Sequence, residues 1–264
     1  MATDGSNELD RLSVGCITDR HIYNDRRDAL MAWLWHEHAD AEMLVASVSA
    51  QLQAACADAV ALRGRAVLAL AGGRTPLPLY RRLANCPLPW SQVTLLPTDE
   101  RCGPHDHRAC NLREITAAFD AASGVHSEPL TAPDGDPQRS EAAAHEALAR
   151  HRDPFDAVVL GMGNDAHTAS LFPGAPQLEV ALELASIVDA CRIDPQPLPA
   201  AAPYPRITLT AARLLRARSL HLVVTGAGKR AVLQQALASA DPQRHPIAAI
   251  LHAPRALLHH HWSP

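Results

Sequence analysis

Asp165 and His167 stand two residues apart in the run Phe155-Asp-Ala-Val-Val-Leu-Gly-Met-Gly-Asn-Asp-Ala-His167-Thr-Ala-Ser-Leu-Phe-Pro-Gly174. Imidazole titrates near neutrality and can take a proton from water, and a neighbouring carboxylate can orient it or stabilise its charged form. The run opens with an apolar stretch, Ala157 to Leu160, that breaks at Gly161-x-Gly163. An apolar strand, a glycine turn and an ionisable pair are how an α/β fold sets reactive groups at the carboxyl end of a strand. The chain has 15 histidines, most of which read as hydrogen-bonded structural residues. His167 is the one whose surroundings point to general base chemistry, with Asp165 in support.

Two glycine loops suggest what is bound. Ala71-Gly72-Gly73-Arg74-Thr75 follows the apolar run Ala66 to Leu70 and precedes Pro76. Gly226-Ala-Gly228-Lys229 follows a second strand-like stretch, Leu220 to Val224. Each loop leaves a strand and enters a helix, so its amides and the helix amino terminus can face an anion. Thr75 adds a hydroxyl and Lys229 a cation. Of 24 basic residues Lys229 alone is a lysine, which argues against a purely solubilising role. Together the loops point to a phosphate-bearing ligand. Neither matches G-x-x-x-x-G-K-[ST] or G-x-G-x-x-G, so a nucleotide reading has no support. Asp99-Glu100-Arg101 follows a further apolar run and, taken alone, reads as a solvated charge cluster. No C-x-x-C or His-x-x-x-His occurs. His259, His260 and His261 are consecutive on a strand pattern, and consecutive strand residues do not converge on one ion. No metal and no cofactor is expected.

The elements that must position these groups alternate. Ala32 to His36, Ala66 to Leu70, Val93 to Leu96, Ala157 to Leu160 and Leu220 to Val224 read as strands. Ile187 to Ala190 and Ile247 to Leu251 are further strand candidates, and Leu257 to Trp262 reads as an edge strand. Helices are expected from Asp40, an N-cap, to about Arg63, over 111–122 and 140–150, and from Lys229 to about Ser239. The alternation predicts an α/β fold: an open, mainly parallel, doubly wound sheet with helices on both faces. Residues 1–27 are polar and aperiodic and read as a flexible extension; 28–264 read as a single domain.

Composition narrows the class. With 264 residues the chain can bury a core without a disulfide or metal staple. Its net charge of −4 argues against nucleic acid or an anionic membrane as partner. The six cysteines are scattered, no apolar stretch is read as long enough to span a bilayer, and no secretory leader is recognised. A reduced, cytoplasmic protein is expected.

The segment from Gly161 to Gly174 resembles the signature of 6-phosphogluconolactonases, in the superfamily that also holds glucosamine-6-phosphate isomerases. Three further blocks fall in that family's order: Ala71-Gly-Gly-Arg-Thr-Pro76, Thr98-Asp-Glu-Arg101, and Arg206-Ile-Thr-Leu-Thr210 with Thr225-Gly-Ala-Gly-Lys229. The resemblance covers Trp35 to Leu258. It implies hydrolysis of 6-phospho-D-glucono-1,5-lactone to 6-phosphogluconate, in the oxidative pentose phosphate pathway, with His167 activating water and no cofactor. It implies that Arg101 faces the substrate phosphate, with Arg206 a weaker candidate, beside Gly72, Gly73, Thr75, Asp99 and Lys229. The partner would be a phosphorylated sugar lactone, and the enzyme a monomer. Arg74 stands where the family commonly has Ser, and is either an added phosphate contact or a solvent-facing residue. Ala166 stands where Gly is usual; if the position needs φ > 0, Ala costs on the order of 1 kcal/mol. Asn164 matches the isomerase branch, whereas Thr168-Ala-Ser-Leu-Phe-Pro173 is similar to lactonases. An isomerase or deaminase of hexosamine phosphates, with Asp99 as base, and a non-catalytic sugar-phosphate sensor are the alternative readings.

Overall fold

Four apolar runs become adjacent parallel strands: β2 (Ala66–Leu70), β3 (Val93–Pro97), β6 (Ala157–Leu160) and β9 (Leu220–Thr225). They form the middle of a seven-stranded sheet completed by β1 (Ala32–Glu37), β5 (His126–Ser127) and β10 (Leu257–Ser263), in the order β1-β10-β9-β6-β2-β3-β5. Every pairing in it is parallel. A computed structural model provides this architecture, and it describes residues 32–254 and 257–264. The extension expected over 1–27 lies outside the described residues.

Parallel strands need crossovers, and the helices supply them. α1 (Ala41–Arg63), α2 (Leu77–Ala84) and α3 (Asn111–Ala118) cover one face. Leu44, Val48, Leu52, Leu79, Tyr80 and Ile115 pack there on Leu68, Leu70, Leu95 and Val159. α4 (Pro137–Ala149), α5 (Leu178–Leu182), α6 (Ala211–Leu215), α7 (Ala227–Ser239) and α8 (Ala248–Leu251) lie against the other. There Leu148, Leu178, Leu214, Leu233 and Ile250 meet Val67, Ala69, Val158, Leu160 and Leu222. The two-residue period of β2 and β6 feeds alternate side chains to the two cores, which is why both strands read as unbroken apolar runs.

α1 begins as expected, with Asp40 accepting from the Met43 amide at 2.8 Å, and ends at Gly64. It also corrects the expectation that no stretch reaches span length. Its 23 alanine-rich residues are long and apolar enough to cross a membrane. In the fold one face is buried on the sheet, while Glu42, Asp58 and Arg63 are exposed or half-buried on the others, so α1 is a core helix.

The sequence reading misses a second sheet. β4 (Asp99–Arg101), β8 (Arg206–Leu209) and β7 (Ala190–Ile193) pair antiparallel in the order β4-β8-β7. Asp99-Glu100-Arg101 is therefore a strand and not a loop cluster. Glu100 is 1% exposed and turns inward to cap α3, accepting from the amides of Asn111 and Leu112 at 2.8 Å each. Ile247 to Leu251 is helical rather than a strand: four apolar residues cannot fix the period, and Pro246 leads directly into a helical turn. β10 lies between β1 and β9 and is not an edge.

Candidate active site

Chain order sets the location of the crevice. From β2 the chain proceeds outward to β3, whereas from β6 it proceeds, through the small sheet, to β9 on the opposite side. The direction reverses between β2 and β6, and in open α/β sheets the crevice for ligands opens beside the carboxyl ends of the strands at such a point. The loop after β2 carries Gly72 and Gly73; the loop after β6 carries Asp165 and His167. The neighbouring carboxyl ends, of β9 and β3, lead to Gly226–Lys229 and to Asp99. Four adjacent strands spaced by about 4.8 Å place all these loops on one rim roughly 15 Å wide.

The β6 loop is built to hold the imidazole. Nδ1 of His167 lies 2.5 Å from Oδ1 of Asp165, whose oxygen also accepts from the His167 amide at 3.3 Å. The Gly163 amide donates to the His167 carbonyl at 2.9 Å, and the Thr168 hydroxyl donates to the Gly161 carbonyl at 2.8 Å. The ring leans on Phe172, with centroids 4.4 Å apart. Its side chain keeps 30% exposure, so the ring is not enclosed in the core. Gly163 is required by contact: a Cβ there would overlap Cε1 and Nδ1 of His167. Burial works to raise the pKa of Asp165, but the hydrogen bond and charge of His167 outweigh it and hold the carboxyl below its usual range. The carboxylate therefore engages Nδ1, and Nε2 is the ring nitrogen it does not contact.

Ala166 has φ +62°, so the position does need the left-handed conformation, and Ala adopts it while fully buried. Its amide closes a turn onto the Gly163 carbonyl, and its carbonyl accepts from Ile247 at 3.0 Å.

The Gly72 loop abuts Asn111, a residue the sequence reading did not single out. A Cβ on Gly72 would collide with the Asn111 carboxamide. Nδ2 of Asn111 donates to the Asp99 carbonyl at 2.8 Å, while Oδ1 is buried and has no partner among the described residues. Only its position opening a helix marks it in the sequence. Ser170 is the other omission. Its hydroxyl donates to the Asp99 carboxylate and its amide donates to the Thr208 hydroxyl at 3.2 Å, joining the β6 loop to the small sheet.

A sequence profile described as glucosamine-6-phosphate isomerases/6-phosphogluconolactonase matches residues 39–259. The chain belongs to this family. A 6-phosphogluconolactonase of Pseudomonas putida is 36% identical over 234 residues, 87% of this chain and 92% of that protein. One of Rhizobium meliloti is 37% identical over 226 residues, 85% and 94% of the two chains. The crystal structure of a 6-phosphogluconolactonase from Shewanella baltica superposes with a TM-score of 0.82 at 31% identity, covering 90% of this chain and all of that one. The family's fold, an α/β sheet with helices on both faces, is the one expected from the sequence.

Within the family's block pattern the candidate residues differ in what they can offer. Arg101 is half-buried, with one guanidinium nitrogen 2.5 Å from the Ala109 carbonyl. Arg206 is 3% exposed and donates to the carbonyls of Tyr204 and Ala202 at 2.6 and 2.8 Å. Burial brings its pKa down to about 10, which still leaves it a cation at neutral pH. Its place is inside the wall of the small sheet, opposite Arg101 in the β4–β8 register. Arg74 is exposed and Thr75 half-buried at the entry to α2. Lys229 is half-buried in the first turn of α7, and burial lowers its pKa. Asp99 is 8% exposed and engaged by two hydroxyls, of Ser170 and of Thr98.

Proposed function

We propose that the chain hydrolyses 6-phospho-D-glucono-1,5-lactone to 6-phosphogluconate, with His167 as the general base and no cofactor. The carrying observation is the Nδ1–Asp165 contact of 2.5 Å on the loop that leaves the sheet at its switch point. Nε2 of His167 removes a proton from water as the oxygen attacks the lactone carbonyl. The resulting imidazolium then donates that proton to the ring oxygen as the C–O bond breaks, and Asp165 offsets the charge at Nδ1. Amides of the Gly72-Gly73 loop, the Thr75 hydroxyl, the amino terminus of α7 with Lys229, and Arg101 hold the phosphate. Arg74, at the exposed rim, and Arg206, buried in the wall, add long-range positive potential. The five described cysteines are free, which suits a reducing cytoplasm.

The experiment compares loss of 6-phosphogluconolactone with its spontaneous rate, and with loss of unphosphorylated gluconolactone. Wild-type protein should accelerate the first far more than the second. Lys229→Met should narrow that preference, and His167→Ala should lower kcat by about 10²–10⁴-fold. A His167→Ala variant working at the wild-type rate removes the imidazole from the mechanism.

A further inference from the structure

Strand geometry brings five imidazoles together on β1, β9 and β10 and the residue that follows β1. β1 and β10 run parallel with His36 opposite His261, and β10 and β9 with His259 opposite His221. The period of two sends His259 and His261 to one face and His260 to the other, where it meets Trp35 at a centroid distance of 4.1 Å. Consecutive histidines therefore do not converge, as the sequence implied, but alternate ones do, with a third supplied by the neighbouring strand. One ring nitrogen from each of His36, His259 and His261 falls within 4.8 Å of the other two. Nε2 of His36 is 3.2 Å from Nδ1 of His259. His261 continues the array, with Nε2 3.2 Å from His221 Nδ1 and Nδ1 3.3 Å from His38 Nε2.

We propose that His36, His259 and His261 form a binding site for a divalent first-row transition metal ion of the zinc class, which clamps β1 to β10. Zinc–nitrogen bonds of about 2.0–2.1 Å at tetrahedral angles separate two ligand nitrogens by roughly 3.3–3.4 Å, close to the spacing between His36 and His259. Three imidazoles are a donor set suited to zinc, copper or nickel rather than to magnesium or calcium. The His36, His259 and His261 rings are within 10° of parallel, so a shared ion requires them to turn about the Cβ–Cγ bonds, a broad torsion. His36 and His259 are half-exposed, which gives an ion access, and His38 or water can fill the fourth position. β9 separates this site from β6 and His167. Its role is structural: the two strands meet across 223 residues of sequence, and among the described strands β1 pairs with β10 alone.

Untagged full-length protein, stripped with chelator, is titrated with Co2+ as the optical probe and with Zn2+ in competition. One ion per chain should bind, with the visible d–d band of a tetrahedral nitrogen-rich site. Zn2+ at about a hundred times its Kd should raise Tm by about 5–10 °C. His36→Gln and His259→Gln should each weaken binding at least tenfold and keep the wild-type lactonase rate. If either variant misfolds, the wild-type chain gives the readout: His36 and His259 should react with diethyl pyrocarbonate without metal and be protected by Zn2+. Absence of saturable binding, equal affinity in folded variants, loss of binding only on His167→Ala, or reactivity unchanged by Zn2+ each overturns the proposal.

Discussion

The Ser170 hydroxyl donates to Oδ2 of Asp99, across 71 residues of sequence. This bond couples the loop that carries His167 to the junction of β3 and β4. It also occupies the carboxylate that an aldose–ketose isomerase would need as a free base. Asp99 is nearly buried, and its second oxygen faces the Thr98 hydroxyl at 3.4 Å. The geometry therefore favours an anchoring role for Asp99 over proton abstraction from a sugar.

Ser170→Ala leaves a buried carboxylate short of a donor, which costs about 1–3 kcal/mol. Urea denaturation should show that loss, and kcat for the lactone should fall as the His167 loop loosens. Appearance of ammonia from glucosamine 6-phosphate, in wild type or variant, contradicts the assignment of Asp99.

Gly163→Ala places a methyl group where the His167 ring now lies. The ring and Asp165 must separate, so kcat should drop by about 10²-fold or more while KM and the far-UV circular dichroism stay near wild type. Retention of full activity means that the contact between His167 and Asp165 is dispensable.

Ala166 tests how a left-handed residue is tolerated. Changing it to Gly relieves about 1 kcal/mol of strain but gives up about 0.8 kcal/mol of buried methyl and adds unfolded-state freedom. These effects offset, so Ala166→Gly should move Tm by less than about 4 °C. Ala166→Val, β-branched and enclosed, should cost more than about 2 kcal/mol. A large stabilisation by Gly would mean that the strain is greater than the buried methyl can offset.

Glu128 gives a pH dependence of known sign. Its carboxylate contacts His151 at 2.5 Å and pairs with Arg150. Burial works to raise its pKa, but the bonds from His151 and Arg150 outweigh that and lower it. A carboxyl whose folded pKa lies below the unfolded value stabilises fully above the unfolded pKa, near 4.5, and the contribution vanishes as pH falls through the folded value. Glu128→Gln should cost about 1 kcal/mol at pH 7, with the difference from wild type shrinking in denaturation curves taken below about pH 4.5. A difference independent of pH would assign the effect to packing.

What the sequence made legible follows from which interactions are local. β2 and β6 are continuous apolar runs because both their faces are buried, and His167 is visible because strand, turn and ionisable pair are contiguous. The small sheet was hidden, since β4, β7 and β8 have three or four residues each, and β4 finds β8 only across about a hundred residues. Asn111 and Ser170 act through partners distant in the chain, and no spacing rule announces them. His259–His261 misled in an instructive way: alternation was correctly read as preventing three neighbours from converging, but strand register was needed to bring His36 in.

Among the described strands, β10 is both the last to be made and an interior member of the sheet, with β1 and β9 on its two sides. β1 consequently stays without this neighbour until β10 has been made, with 223 residues of sequence separating His36 from His259. A loop of such length makes this closure slow, and until it happens two hydrogen-bonding edges stay open to other nascent chains. Without Leu257–Ser263, β1 would have no neighbour among the described strands, and that flank of α1 would lose the strand it rests on.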